Sequence, residues 1–183
     1  MPALLDTVDP LGLEEFSVVF TDRSLNSMSA AFQTVMTDIS SMLKEVYNAD
    51  AVAIIPGGGT YGMEAVARQF ARNADVLVVR NGWFSYRWSQ IIETGGLTAN
   101  TTVLKARRSG NATASPFAPA PIAEVVETIH KQNPDVVFAP HVETSAGVIL
   151  PDDYIAAMAE AAHDVGALLV LDCIDSGCAW VAT

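Results

Sequence analysis

Short apolar runs alternate with amphipathic helical segments along this chain, and this alternation restricts the possible folds more than any other feature. Strands are predicted at 51–55, 76–79, 102–105, 136–139 and 167–172, and helices at about 28–46, 61–71, 83–92, 122–130 and 152–165. The strands are continuously apolar, which is typical of strands covered on both faces. Residues 109–121, rich in Ser, Ala and Pro, are predicted as a loop. The pattern therefore predicts an α/β fold with a mainly parallel sheet sandwiched by helices.

The length of the chain, 183 residues, suits one domain with a core of its own. We expect residues 1–50 to form an N-terminal segment with a long helix, and residues 51–183 to form the larger, sheet-containing part. Half of the residues are apolar and only 17% are charged, against about 25% charged in an average soluble domain. This excess indicates that some apolar surface is buried against a partner or against a further part of the protein.

Charge and cysteine content argue against several classes of protein. The net charge of -11 disfavours binding to nucleic acid or to an anionic membrane surface. No apolar run reaches the length of about 18 residues needed to cross a membrane, and residues 1–6 lack the features of a signal peptide. Cys173 and Cys178 are too few for a disulfide framework. The sequence therefore predicts a cytoplasmic protein.

A glycine-rich turn follows the first predicted strand, where ligands of parallel sheets bind. Gly57-Gly58-Gly59-Thr60 opens a predicted helix, and unpaired N–H groups at a helix N-terminus favour a phosphate. A tight turn alone would also explain these glycines. The segment fits G-x-G-x-x-G as well, the dinucleotide fingerprint. Because Arg80 stands where an acidic residue would hold the ribose, a phosphorylated nicotinamide cofactor remains an alternative.

Polar and aromatic residues follow three further predicted strands. They are Asn81-Gly82-Trp83-Phe84, His141-Val142-Glu143-Thr144-Ser145 and Asp172, and all of these clusters could line one pocket. Asp172 ends an apolar strand, so its carboxylate needs a partner or a ligand such as a protonated ring nitrogen. The H-x-E pattern at 141–143 is also found in zinc deaminases, but the cysteines lack the C-x-x-C spacing that completes that site. We therefore predict no metal site.

Four segments, residues 56–70, 80–88, 139–151 and 168–177, occur in an order that resembles class V, fold-type I aminotransferases, which use pyridoxal 5′-phosphate (PLP). The likeness is greatest to the alanine–glyoxylate and serine–glyoxylate group, and it spans about the first half of such an enzyme, from about residue 9 onward. The fold implied is an incomplete PLP-transferase large domain.

The resemblance also implies roles for individual residues. Gly58, Gly59 and Thr60 would hold the cofactor phosphate. Phe84 would stack on the ring, with Trp83 as the alternative if the alignment slips by one, and Ile174 would lie beneath the ring. Thr144 would lie beside the phenolic oxygen of the ring. Asp172, the catalytic residue implied within this chain, would hold the ring nitrogen protonated.

The function implied is transfer of an amino group from a small amino acid, alanine or serine, to glyoxylate or a similar 2-oxo acid, by a homodimer. Family members bind PLP through a lysine that lies beyond the aspartate strand. Lys44, Lys105 and Lys131 do not match its position, so we expect these 183 residues alone to be inactive. An NADP-binding oxidoreductase domain and a non-catalytic half-domain that binds partners are the alternatives.

Overall fold

The computed structural model describes residues 27–177, which belong to two compact units that divide between Ile55 and Pro56. The predictions made for residues 1–26 and for Cys178 lie outside this range. None of the helices in the described range combines the length and apolar character needed to cross a membrane.

The first unit contains one long helix, α1 (Ala30–Tyr47). Ser29 caps its first turn, because the Oγ atom accepts a hydrogen bond from the Phe32 N–H at 3.1 Å. The helix ends at Asn48, whose left-handed backbone (φ 46°) stops the helical path. The strand predicted at 51–55 does not form. Strand propensity alone was misleading here, since a strand also needs a hydrogen-bonded neighbour, and none pairs with this segment among the described residues.

The second unit is built on a four-stranded parallel sheet with the order β2-β1-β5-β8. Its strands are β1 (Val76–Arg80), β2 (Thr101–Lys105), β5 (Val136–Pro140) and β8 (Leu168–Asp172). The helices of this unit are α2 (Gly59–Phe70), α3 (Trp83–Thr94), α4 (Ile122–Gln132) and α5 (Asp152–Asp164). These four strands and four helices agree with the predicted elements to within a few residues.

Two short antiparallel pairs were not predicted, because each strand is only two residues long. The first pairs β3 (Arg107–Arg108) with β4 (Phe117–Ala118) inside the predicted loop. The second pairs β6 (Val142–Glu143) with β7 (Val148–Ile149), directly after the central strand β5. The β6–β7 turn therefore stands at the carboxyl edge of the sheet.

Helices cover both faces of the sheet and create two separate cores. On one face, α2 and α3 pack through Ala67, Trp88 and Ile92 against Val78 and Phe138. The opposite face is covered by α4 and α5, which contribute a second set of buried residues that includes Val125, Ile129 and Met158. The α/β prediction, a mainly parallel sheet between helices, is thus confirmed.

Candidate functional site

The carboxyl ends of β1, β5 and β8 lie side by side, and the polar residues predicted to carry chemistry follow these ends. Pro140 pairs with Asp172 in the register of the parallel sheet. The backbone N–H of His141 donates to the carbonyl oxygen of Asp172 at 2.9 Å, which ties the start of the β6–β7 hairpin to the end of β8. Residues far apart in the sequence are therefore held at one edge of the sheet.

The turn before α2 needs glycine for a steric reason. Gly57 has φ +135°, a backbone conformation that side chains rarely adopt, and a Cβ atom there would meet the Tyr61 ring at 2.6 Å. Gly58 is the N-cap residue of α2, and no side chain caps this helix. The first turn of α2 therefore presents exposed N–H groups together with the positive end of the helix dipole.

Two contacts join this turn to other elements at the sheet edge. The Ile174 side chain, two residues beyond β8, lies so close to Gly59 that a Cβ atom on Gly59 would collide with its Cδ1 atom. From α3, the Arg87 guanidinium donates a hydrogen bond through Nη1 to the Thr60 Oγ atom at 2.5 Å. The start of α2 thus lies between the end of β8 and the first turns of α3.

Asp172 points to the sheet face that α2 and α3 cover. Its neighbour Leu171 packs in the α4–α5 core and Val170 packs in the α2–α3 core, so alternation places the Asp172 side chain on the latter face. Burial raises the pKa of the Asp172 carboxyl, and nearby carboxylates, including Glu143, raise it further. A hydrogen bond from the Ile174 N–H, at 3.2 Å, and the charge of Arg87 oppose this increase.

A second carboxylate, Glu143, has the opposite environment. Its side chain is fully buried at the end of β6, against the N-terminus of α3. The Phe84 and Ser85 N–H groups donate to its two oxygens at 3.1 and 2.9 Å, and the Ser85 hydroxyl donates at 2.6 Å. The Ser145 hydroxyl also donates to Glu143. Burial works to raise the pKa of Glu143, but these donors together hold it below its ordinary value.

The β6–β7 turn therefore closes the N-terminus of α3. The Trp83 N–H donates to the Ser145 Oγ atom at 2.8 Å, so all three leading N–H groups of α3 bond to Glu143 or Ser145. The chain approaches closely here, because a Cβ atom on Gly82 would lie 2.7 Å from Glu143 side-chain atoms. Glu143 and Ser145 were expected from the sequence to lie in a cluster that lines a pocket, but their capping role was not predicted. The only sequence signal was an acidic residue three positions beyond the end of the apolar strand β5.

Four aromatic residues follow β1, namely Trp83, Phe84, Tyr86 and Trp88, and they differ in burial. Trp88 is buried, with its ring centroid 4.4 Å from that of Phe138. Trp83 lies outside the core and packs against Tyr86 with centroids 5.9 Å apart. Phe84 is partly exposed and has no ring partner among the described residues.

Thr144 and Arg80, to which the sequence assigned roles in ligand binding, make few side-chain contacts among the described residues. Thr144 is exposed in the β6–β7 turn, between the anchored residues Glu143 and Ser145. Arg80, which the dinucleotide alternative assigns to a phosphate, has its guanidinium 5.0 Å from the centre of the Tyr86 ring and donates to the Ser89 hydroxyl at 3.4 Å.

A surface cleft of about 370 Å³ lies between α2 and α3, beside the candidate site. Thr60, Glu64 and Arg87 are among its lining residues. A second cleft of similar size lies at the other end of the sheet, where Val76 and Thr101 begin their strands. Since the predicted site residues follow the carboxyl ends, only the first cleft adjoins them.

Solved structures of aminotransferases resemble the chain in fold. The ureidoglycine–glyoxylate aminotransferase of Bacillus subtilis matches with a TM-score of 0.68 and 24% identity, over 83% of this chain and 37% of that chain. For the alanine–glyoxylate aminotransferase of Nostoc sp. the TM-score is 0.65 and the identity 22%, over 83% and 38%. For the pyridoxamine–pyruvate aminotransferase of Mesorhizobium loti these values are 0.68 and 18%, over 84% and 37%.

The chain thus spans less than two fifths of the length of each of these structures. A comparison with curated protein sequences found no match. The sequence model of class-V aminotransferases, in contrast, matches residues 13–177, which is most of the chain. This protein therefore belongs to the class-V aminotransferase family.

Proposed function

We propose that this chain forms the cofactor-binding portion of a transaminase that moves an amino group from a small amino acid to a 2-oxo acid. PLP is the cofactor of the class-V aminotransferase family. The observation that carries the proposal is the arrangement at the carboxyl edge of the sheet. There the uncapped start of α2 lies close to Asp172, whose pKa is raised. Ile174 lies against Gly59 and donates its N–H to Asp172. Arg87 is bonded to Thr60, and its charge acts on Asp172.

The start of α2 fits the phosphate of this cofactor. No side chain caps the helix, and Gly58 has open space where a Cβ atom would stand, so an anion can approach the backbone N–H groups of Gly59 and Thr60. The Thr60 hydroxyl and the Arg87 guanidinium, bonded to each other, add two more donors. The phosphate would anchor the cofactor at a point remote from the reaction.

The environment of Asp172 fits a protonated ring nitrogen. Its carboxylate is half-buried and its pKa is raised by burial and by neighbouring negative charge. No cation lies within ion-pair distance of it among the described residues. A ring N–H⁺ would supply the missing charge, and the charge-assisted hydrogen bond would in turn keep that nitrogen protonated.

Phe84 and Ile174 suit the two faces of the ring. Phe84 projects from the capped first turn of α3, and Ile174 lies against Gly59 at the phosphate end. Trp83, the alternative stacking residue, already packs against Tyr86, which favours Phe84. Thr144 stands in the turn between Glu143 and Ser145, and we assign its hydroxyl to the phenolic oxygen of the ring.

When PLP is bound, it withdraws electrons from the Cα atom of the substrate as the proton on that Cα atom leaves. In this assignment the Asp172 carboxylate holds a proton at the ring nitrogen, Phe84 fixes the angle of the ring, and the α2 turn holds the phosphate.

The lysine that binds PLP covalently and moves the proton is assigned to a part of the protein outside these 183 residues. Lys105 ends the outer strand β2 at the same edge as Asp172, but it is three strand spacings away, about 14 Å. Lys131 lies on α4, which covers the opposite face of the sheet. Lys44 belongs to α1 in the other compact unit. The inactivity of the isolated chain, expected from the sequence, is part of this proposal.

Alanine or serine as donor and glyoxylate as acceptor are the proposed substrates. Two of the structures named above carry glyoxylate in their names and a third carries pyruvate, which supports a small 2-oxo acid. A homodimer, expected from the family resemblance, and a cytoplasmic location, expected from the sequence, remain part of the proposal.

The structure gives the dinucleotide alternative little support. That fingerprint requires a strand of the sheet directly before the glycine turn, and residues 51–55 do not form one. The Arg80 guanidinium, which would hold the ribose phosphate, lies over the Tyr86 ring.

An assay of the complete protein that contains these 183 residues tests the proposal. With PLP, alanine and glyoxylate should yield pyruvate and glycine in equal amounts, and serine should be tried in place of alanine. Lys131→Ala, a change on the outer helix α4, should retain this activity. If no small amino acid gives glycine and the protein binds no PLP, the proposal fails.

A further inference from the structure

We propose that Glu143 is a positioning residue that links the two sides of the PLP site, setting Phe84 through the start of α3 and Thr144 through the β6–β7 turn. This inference rests on the proposed function, because it assumes that the cofactor ring lies between these elements. It assigns a role to a carboxylate that does not itself touch the cofactor.

The first support is the number of bonds that meet at this one side chain. Glu143 is fully buried and accepts hydrogen bonds from Phe84, Ser85 and Ser145. Three of the four donor groups belong to α3 and the fourth to the turn that follows β6. A buried carboxylate needs such partners, since an unpaired charge there would be strongly unfavourable.

The second support is what the bonds hold in place. The Phe84 N–H is bonded to the Glu143 Oε1 atom, so the backbone that carries the proposed stacking ring is fixed by this carboxylate. Thr144 lies between Glu143 and Ser145 in the sequence, and the side chains of Glu143 and Ser145 are hydrogen-bonded to each other. Any displacement of Glu143 must therefore move both residues proposed to contact the ring.

The third support is that the Ser85 hydroxyl connects Glu143 to the end of β1. The Ser85 Oγ atom accepts from the Asn81 and Gly82 N–H groups at 2.8 and 3.1 Å while it donates to Glu143. The end of β1 and the start of α3 thus depend on the same hydroxyl. Because both Glu143 oxygens and the Ser85 hydroxyl have partners, these hydrogen bonds can hold the start of α3 in a single orientation.

Glu143→Gln in the complete protein is the main test. The amide keeps the shape of the side chain, but its NH₂ group would face N–H or O–H donors. We expect the dissociation constant for PLP to increase about 2- to 12-fold, as for loss of the aromatic contact between Phe84 and the ring. The visible circular dichroism of the bound cofactor should also change, because the ring changes its angle.

Val125→Ala is the matched control for lost stability. Val125 is buried on α4, in the core on the opposite face of the sheet. This variant should unfold at a lower temperature but bind PLP with the wild-type dissociation constant and circular dichroism. If Glu143→Gln behaves in the same way, Glu143 is merely structural and the inference is overturned.

Ser145→Ala keeps the inference testable if Glu143→Gln does not fold. It removes one bond to Glu143 and one to the Trp83 N–H, while the three donors from α3 remain. We expect a smaller change in the same dissociation constant and spectrum, whereas no change in either would overturn the inference. Failure of the proposed function is distinguishable, because the unaltered protein would then bind no PLP.

Discussion

The first turns of α2 and α3 begin at the same edge of the sheet, but only one of them is closed by the protein itself. In α3 all three leading N–H groups bond to Glu143 or Ser145. In α2 no side chain caps the start, which is built from small and exposed residues. A helix start in a folded protein needs acceptors, so the difference indicates which turn is structural and which is available to an anion.

The two carboxylates nearby repeat this contrast. Glu143 has four donors and a lowered pKa, whereas Asp172 has one backbone donor and a pKa raised by burial and by negative neighbours. The chain has satisfied the first carboxylate with its own groups. We interpret the second as the one that gains its partner when the cofactor binds.

Asp172→Asn should have the largest effect on cofactor binding. The amide cannot form the charge-assisted hydrogen bond to a protonated ring nitrogen, which is worth about 1.5–3 kcal/mol. We expect the dissociation constant for PLP, measured by titration of the cofactor-free complete protein, to increase about 10- to 150-fold. An unchanged constant would remove the proposed distinction between Asp172 and Glu143.

Gly59→Ala should have the next largest effect. The added methyl group meets the Cδ1 atom of the exposed Ile174 side chain, which must then move from its proposed place beneath the ring, and loss of that apolar contact would cost up to about 3 kcal/mol. We expect up to about 150-fold weaker PLP binding in the same titration. Gly62→Ala, with open space around its Cβ position, should keep the affinity and stabilise α2 by up to about 1 kcal/mol. Equal affinities of the two variants would contradict the assignment of the α2 turn.

Phe84→Leu should weaken PLP binding by a smaller factor. A favourable aromatic pair adds about 0.5–1.5 kcal/mol beyond the apolar area that leucine preserves, so we expect about a 2- to 12-fold increase in the dissociation constant. Trp83→Leu is the matched change one residue earlier and should have less effect. The reverse order would transfer the stacking role to Trp83.

The pH dependence of unfolding should distinguish the two carboxylates in the cofactor-free protein. Because the folded pKa of Asp172 is raised, its charge destabilises the fold as the pH rises from about 4 through that pKa. Because the folded pKa of Glu143 is lowered, its contribution is lost as the pH falls below about 4 through that pKa.

Urea unfolding between about pH 3 and pH 7 measures both contributions. In Asp172→Asn, the free energy of unfolding should decrease less as the pH rises above about 4 than in the unaltered protein. In Glu143→Gln, it should decrease less as the pH falls below about 4. Identical pH profiles for the two variants would show that the two environments do not differ as described.

The sequence predicted the sheet and most helices because these elements depend on local periodicity. Strands β1, β2, β5 and β8 were recognisable as apolar runs between polar turns. Residues 51–55 have the same composition but form no strand, since pairing depends on a neighbour that composition does not specify.

The candidate site was predictable only in part, for a related reason. Gly57 and the start of α2 form a local motif that the sequence displays directly. The contacts of Glu143 join residues 58 and 59 positions apart along the chain, and no local pattern encodes such a pairing. The role of Arg87, which bonds Thr60 across two helices, was missed for the same reason.

The most direct test of the central claim compares PLP with pyridoxal, which lacks the phosphate, in titrations of the cofactor-free complete protein. The open start of α2 predicts that PLP binds at least about 10-fold more tightly, since at least one hydrogen bond to a charged group depends on the phosphate. Equal binding of the two compounds, or binding of neither, would contradict the account.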